Sequence, residues 1–130
     1  MTPGSVVFFK DFTFHDGDHA DKFLIVLNDG NKRPYLVLKT TSRQKSRPNK
    51  EGCHSAKGCY FLPAKRDWFR IDTWILLYEP YEMDAAAFLK AKFAGDAEIK
   101  ASLKPDLVRA IINCFSRTDD CSEHQLSLLK

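Results

Sequence analysis

The chain has 130 residues, which predicts a single domain over residues 1–130 and leaves no room for two full cores. Its hydrophobic fraction of 44% excludes a disordered chain, and it contains no apolar run of about eighteen residues, the length needed to span a bilayer. The net charge is only +3, yet residues 32–70 hold eleven basic and two acidic side chains, a net +9. Charge clustered in this way favours a polyanionic partner, and a merely solvated loop is the alternative.

The first half of the chain predicts β-strands. Residues 6–9 and 23–27 are apolar runs, and the second is rich in β-branched side chains, as in a strand buried on both faces. Between them, residues 11–21 are polar and predict a surface loop long enough to reach a ligand. A turn at residues 28–31, in which Asp-Gly supplies positive φ angles, and a returning strand at residues 35–38 predict a hairpin.

A basic loop is predicted in the middle of the chain. Residues 40–52 (TTSRQKSRPNKEG) contain no large apolar side chain, and we expect about residues 43–52 to be mobile when no partner is bound. Strands are predicted again at residues 59–62 and 72–78. Pro80 ends the second of these strands because proline cannot donate to a ladder.

Two helices are predicted after the strands. Asp84 is suited to cap a helix over residues 85–93, which Gly95 closes. A second helix opens at Pro105 and has one apolar face, formed by Leu107, Val108, Ile111, Ile112 and Phe115. The tail, residues 116–130, is mostly polar. Strands followed by helices predict an α+β protein, mainly β, with a small barrel or curved sheet closed by a helix.

The four cysteines are expected to be thiols. The N-terminus lacks the features of a signal peptide, which indicates the cytoplasm, where disulfides rarely persist. The spacings from Cys53 to Cys59 and from Cys114 to Cys121 match no common zinc pattern, so no metal is predicted. A zinc or redox site built from Cys53, His54 and Cys59 is the alternative.

The order of motifs along the chain resembles that of the MazF/PemK toxin family. The family begins with a Gly-Asp-Val-Val-like strand and a D-F-P-F-T-D-G-like loop, similar to GSVV at residues 4–7 and DFTFHDG at residues 11–17. Its second strand, its Ile-Thr-Ser element, its D-S-V-V-L-L-D-Q-P-R-like strand and its closing helix resemble segments that follow in the same order. They are DKFLIVLND at residues 21–29, TTS at 40–42, DTWILLYEP at 72–80 and KPDL at 104–107.

This resemblance implies an SH3-like β-barrel closed by a C-terminal helix, commonly as a homodimer. It implies a cytoplasmic toxin that cuts single-stranded RNA without a metal or other cofactor and that a cognate antitoxin protein holds inactive. In the family, the RNA 2′-hydroxyl attacks the adjacent phosphorus and leaves a cyclic phosphate and a 5′-hydroxyl. The arginine and threonine that carry much of this chemistry match Lys22 and Thr41 here. Lysine keeps the positive charge but lacks the planar fork of arginine.

Further candidates surround these two residues. His19 is a third catalytic candidate, ahead of His15, because histidine titrates near neutral pH. The predicted RNA-binding residues are the Ser42 hydroxyl and the cations after it, which are Arg43, Lys45, Arg47 and Lys50. For Thr41 and Ser42, hydroxyls that satisfy nearby backbone groups are the alternative.

The aromatic residues have two possible roles. Tyr60, Trp68 and Phe69 are candidates for stacking on bases, with core packing as the commoner alternative, whereas Trp74 is assigned to the core. Asp72 is either a partner of Lys22 or Arg43 or, more commonly at such a position, a turn residue.

Two functions follow from the sequence. The first is an endoribonuclease toxin. The second is a non-catalytic SH3-like module that binds nucleic acid or a protein, and the lysine at position 22 favours this alternative.

Overall fold

The computed structural model describes residues 1–31 and 33–129. Lys32, counted above in the basic segment, and Lys130, in the predicted tail, lie outside the described residues. The strands are β1 Ser5–Thr13, β2 His19–Val26, β3 Tyr35–Thr41, β4 Gly52–His54, β5 Cys59–Leu62, β6 Thr73–Leu76, β7 Tyr81–Met83 and β8 Ala97–Ser102. The α-helices are α1 Ala85–Phe93, α2 Pro105–Ser116 and α3 Glu123–Leu128. The predicted α+β class, with mostly antiparallel β-structure, is confirmed.

The strands form one antiparallel sheet that is open. Its order is β4-β5-β6-β3-β2-β1-β8, and β7 pairs with β3 beside this path. One edge of β3 pairs with β2, and its other edge is shared by β6 and β7. In the described part of the chain, β4 and β8 stand at the two ends of the path and do not pair with each other. A closed barrel is therefore not confirmed.

The central strand β2 is buried on both faces, as its apolar run predicts. Ile25 belongs to a core cluster shared with helix α2, whereas Leu24 and Val26 belong to a second cluster shared with helix α1. Successive side chains of a strand point to opposite faces, so a continuous apolar run serves both clusters. Burying each such side chain contributes roughly 1.5–3 kcal/mol.

Both predicted helices are confirmed. Helix α1 begins after Asp84, whose carboxylate accepts a 3.1 Å hydrogen bond from the Ala86 N–H, and is followed by Gly95 at a φ of 82°. Helix α2 begins at Pro105 and packs its predicted apolar face on the sheet: Leu107, Val108, Ile111 and Phe115 are buried and Ile112 is half-buried.

Two connections differ from the sequence prediction. The predicted loop over residues 11–21 is shorter, because β1 runs to Thr13 and β2 starts at His19. A bulge in β1 allows this extension, with Asp11 at a φ of 53° and Phe12 turned into the core. The β2–β3 hairpin is confirmed, but its tight Asp-Gly turn is wrong, since neither Asp29 nor Gly30 has a positive φ.

The connection between β2 and β3 is organised by a buried asparagine instead. Asn28 accepts a 2.8 Å hydrogen bond from the Leu36 N–H and donates to the carbonyls of Pro34 (3.0 Å) and Leu128 (3.1 Å). The Asn28 side chain thus bonds to the backbone on the β3 side of the connection and also holds the end of α3.

The expectation of four thiols is wrong for Cys53 and Cys114. These residues form a disulfide that links β4 to α2, with their Cα atoms 5.6 Å apart. Cys59 is buried and Cys121 is half-buried, and both are free. The Cys53 sulfur is therefore not available as a metal ligand, and His54 Nε2 instead lies 2.6 Å from the Lys50 carbonyl. No group of three or more His, Cys, Asp or Glu side chains in the described residues is arranged to hold a metal.

Candidate nucleic-acid interface

An open groove of about 960 Å³ lies where the start of β2 meets the end of β3. The loop after β3 and the loop before β6 form its other walls, and we call it the basic groove. Six cations line it, namely Lys22, Lys39, Arg43, Lys45, Arg47 and Arg70. Among its lining residues Asp21 is the one acid, and none is a histidine. A cleft with one sign of charge concentrates ligands of the opposite sign.

Lys22 and Thr41 enter the basic groove from neighbouring strands. Leu24 lies opposite Lys39 in the antiparallel β2–β3 pair, and continuing this register brings Lys22 level with Thr41. The Lys22 ammonium donates a long hydrogen bond of 3.5 Å to the Thr40 carbonyl. Two residues that are distant in sequence are therefore brought to the same end of the β2–β3 pair.

The hydroxyl groups of the groove differ in their partners. Thr40 is buried and donates a 2.9 Å hydrogen bond to the Phe23 carbonyl, which fixes its side chain in the fold. The Thr41 oxygen accepts a 3.2 Å hydrogen bond from the Arg43 N–H. This is the local backbone role named above as the alternative, and it leaves the Thr41 proton to be donated to a ligand.

The charge environment of Lys22 is unfavourable in the free protein. Partial burial lowers the pKa of the Lys22 ammonium, and the nearby charges of Lys39, Arg43 and Arg47 lower this pKa further. Lys39 is the one of these cations with an acidic partner among the described ion pairs, since its ammonium lies 2.5 Å from Glu79. A bound phosphate would offset the remaining repulsion, so the groove is suited to an anion.

The loop after β3 is anchored at several points. The Trp74 indole N–H donates a 2.7 Å hydrogen bond to the Pro48 carbonyl. Arg47 donates to the Arg43 carbonyl (2.9 Å) and to the Tyr78 hydroxyl (3.1 Å). These bonds fix the Arg47 guanidinium and the backbone at Arg43 and Pro48. Arg43 and Arg47 line the groove, whereas Lys50 is exposed and lies outside its lining.

The two histidines of the β1–β2 region also lie outside the groove lining. His19 is exposed, and its Nδ1 lies within hydrogen-bond distance of the Asp11 carboxylate. His15 stacks on the Tyr81 ring, with ring centroids 4.0 Å apart, and its Nε2 lies 3.1 Å from the Pro80 carbonyl. Five of the predicted residues thus come together with Lys22 in one groove: Thr41, Ser42, Arg43, Lys45 and Arg47. His19 and Lys50 do not join them.

Sequence reasoning missed several groove residues. Lys39 precedes Thr41 by two residues and shares its face of β3, a signal that strand alternation contains. Arg70 and Tyr78 are far from this strand in sequence, and only the fold brings them to it.

A hydrogen-bonded chain leads from Lys39 towards the β1–β2 loop. Glu79 pairs with Lys39, and the Tyr81 hydroxyl donates to Glu79 over 3.0 Å and accepts from the His15 N–H over 3.2 Å. The hydrogen bond from Lys39 lowers the pKa of Glu79, while burial above all raises the pKa of Tyr81 to about 12. Tyr81 therefore remains a phenol at neutral pH and can hold both partners.

The aromatic candidates divide between core and groove. Tyr60 and Phe69 are buried, and the assignment of Trp74 to the core is confirmed at 3% exposure. Trp68 lines the groove and is 37% exposed. Asp72 acts as a turn residue, because its carboxylate accepts a 2.8 Å hydrogen bond from the Ala64 N–H.

Neither a scan against protein-family models nor a search of curated proteins found a match for this chain. Among the described residues, no helix is long and apolar enough to cross a membrane.

Proposed function

We propose that the chain is an endoribonuclease toxin of the MazF/PemK type that cuts single-stranded RNA in the basic groove. The observation that supports this most is the meeting of Lys22 and Thr41 at one end of the β2–β3 pair, inside a groove lined by six cations. The motif order along the chain supports the same family. With it we propose that the open sheet is a variant of the family's SH3-like barrel.

In the proposed reaction, the 2′-oxygen of RNA attacks the adjacent phosphorus and the bond to the 5′-oxygen breaks. The proton of the 2′-hydroxyl passes to a base, and the leaving 5′-oxygen takes up a proton. The products are a 2′,3′-cyclic phosphate and a 5′-hydroxyl. Lys22 stabilises the charge that develops on the phosphoryl oxygens, and the Thr41 hydroxyl donates to one of them. Arg43 and Arg47 hold the flanking phosphates.

A cognate antitoxin, a cytoplasmic location and a homodimer belong to this proposal. An acidic antitoxin segment would be complementary to the groove's six cations. We place the protein in the cytoplasm because the proposed RNA substrate lies there.

The proposed dimer pairs strand β8, at an end of the sheet, with the same strand of a second copy. An antiparallel pairing centred on Ile99 places Glu98 opposite the partner's Lys100, so the strand is complementary to itself. Ile99 is 41% exposed and Phe93 is 85% exposed, which adds apolar area on β8 and on α1.

A nucleic-acid-binding module without catalysis is the second candidate. The observation that favours it is the lack of a histidine among the groove-lining residues, because histidine is the commonest acid and base near neutral pH. In this case Lys22 and the arginines hold a phosphate backbone and no bond is broken.

The deciding experiment incubates the protein with mixed-sequence single-stranded RNA in EDTA. We expect fragments with cyclic phosphate ends from the wild type and a loss of at least about tenfold in K22A and T41A, as for removal of a charge-assisted contact. K90A and T13A, which change an exposed lysine and an exposed threonine outside the groove lining, serve as matched controls. Intact RNA after incubation with folded wild type, together with salt-dependent binding, would support the module instead.

A further inference from the structure

The exposed Trp68 is the feature of the basic groove that a phosphate-binding role leaves unexplained. Its side chain is 37% exposed and lines the same groove as Lys22 and Arg70. The indole packs at a steep angle against Phe23, with ring centroids 5.4 Å apart, and against Phe69 at 5.2 Å. An aromatic side chain beside a row of cations is the combination that binds single-stranded nucleic acids, since bases stack on rings while cations hold phosphates.

The loop that carries Trp68 is held in place by its neighbours. Asp67 accepts a 3.0 Å hydrogen bond from the Lys104 N–H at the start of α2. Within the loop, Asp72 accepts from the Ala64 N–H at 2.8 Å, and the Lys65 N–H donates 2.8 Å to the Phe69 carbonyl. The ring position is therefore set before a ligand arrives, which reduces the ordering free energy lost on binding.

Trp68 and Lys22 are connected through one residue. Phe23 follows Lys22 in β2, and its ring touches the indole. Lys22 and Phe23 point to opposite faces of β2, so Lys22 and Trp68 line the same groove from the two sides of this strand, one suited to a phosphate and one to a base.

We infer that Trp68 forms a nucleobase subsite in the basic groove, which stacks one unpaired base of a single-stranded nucleic acid. This inference rests on the proposed function of the groove and adds a contact to one base of the single strand to the contacts with its phosphates. A base in a duplex is stacked and paired within the helix, and it reaches the indole only after separation of the strands.

Tryptophan fluorescence tests the subsite directly. The chain contains two tryptophans, and Trp74 is buried at 3% exposure, so a ligand in the groove reports mainly through Trp68. The probes are a short 2′-O-methyl RNA, which lacks the attacking hydroxyl, the same strand in a duplex, and inorganic polyphosphate. We expect the single strand to quench the fluorescence of the wild type and not that of W68F. The duplex and polyphosphate should leave the fluorescence unchanged.

Binding by variants gives the second measurement. W68A should bind the single strand about 5- to 150-fold more weakly, the range expected for one base–aromatic stack. Its affinity for polyphosphate should equal that of the wild type, which also shows that the groove has folded. I71A is the matched control, because it removes an exposed apolar groove side chain without a ring. It should bind both probes like the wild type.

Three results would overturn the subsite. They are unchanged binding of the single strand by W68A, an equal loss with both probes, and quenching by polyphosphate alone. Cleavage without quenching would remove the subsite and keep the proposed nuclease, whereas quenching without cleavage would keep the subsite and favour the binding module.

Discussion

Lys22 lies in the basic groove, and its pKa is lowered there. Its proton is held less tightly in the folded protein than in the unfolded chain, because the side chain is partly buried and three cations surround it. The charged form of Lys22 therefore opposes folding, and the stability lost in this way returns as the pH rises from the lowered pKa towards the usual 10.5. A group that destabilises the free protein and faces a ligand site is typical of functional positions.

Replacing Lys22 by arginine tests whether its positive charge is what the proposed RNA cleavage needs. Arginine stays protonated to a pH above about 12, so K22R should keep cleaving RNA at alkaline pH, where the wild type loses the Lys22 proton. The measurement is the pH profile of the K22R rate divided by the wild-type rate, because effects on the RNA cancel in this ratio. A ratio that stays flat through the alkaline range would show that another group controls the wild-type activity.

Some residues of the groove could be predicted from the sequence, and others could not. Arg43 and Arg47 lie in one short basic segment, so local composition was enough to select them, whereas Thr41 was selected through the resemblance of TTS at residues 40–42 to a family motif. Arg70 reaches the groove only through the pairing of β5 with β6, a contact that charge and hydropathy patterns do not encode. Trp68 was one of three candidates for stacking on bases, and the same pairing decides that it lines the groove. His19 was a catalytic candidate because of its residue type, but it lies outside the groove lining. A bulge extends β1 and places Asp11 beside His19.

At the scale of elements, helices and strands with a strong hydrophobic pattern were predicted from the sequence, whereas short elements were not. Helix α2 was found from its apolar face and its proline, and β2 from its apolar run. Strand β8 alternates small, charged and apolar residues, and three-residue β7 follows a proline, so neither carries a clear pattern. Helix α3 was missed although Ser122 and Gln125 form a capping box, a signal that the sequence does contain.

The Cys53–Cys114 disulfide is the covalent link between two elements, and its removal should destabilise the fold. The cysteines are 61 residues apart, and a loop of this length corresponds to a stabilisation of about 4 kcal/mol in the chain-entropy model. We expect C53S/C114S, or the wild type treated with a dithiol, to unfold at a temperature lower by about 10–15 °C.

The control for this prediction is C121S, which replaces a free, half-buried cysteine and should change the unfolding temperature little. Mass spectrometry after alkylation counts the thiols in each sample. Two alkylated thiols in the unreduced wild type would agree with the structure, and four would contradict it. An unchanged unfolding temperature in fully reduced protein would show that the link contributes no stability.

For the whole molecule, both ends of the open sheet matter because an end strand has unpaired backbone groups. Strand β4 is only three residues long and is attached to α2 by the disulfide, two features that limit its pairing with other chains. Strand β8 has six residues, with Glu98 and Lys100 paired at 2.9 Å and the apolar Ile99 between them. Strand β8 also shifts its register against β1 between Ile99 and Ala101, yet it is the longer of the two end strands and the one that we propose for the contact with a second copy.

Charge reversal on β8 tests the proposed dimer. In a pairing centred on Ile99, E98K places two lysines opposite each other at both symmetric positions and should shift the protein towards monomer. The double change E98K/K100E restores opposite charges at both positions and should restore the dimer, although each strand then carries the charges in reverse order. Sedimentation equilibrium over a range of concentrations measures the dissociation constant for each variant, and thermal unfolding checks that each is folded.

If E98K weakens the dimer and the double change does not rescue it, the two-fold β8 pairing is wrong and the copies associate elsewhere. A monomeric wild type at micromolar concentration would exclude the dimer altogether, and the nuclease assay would then show whether a single basic groove is sufficient for cleavage.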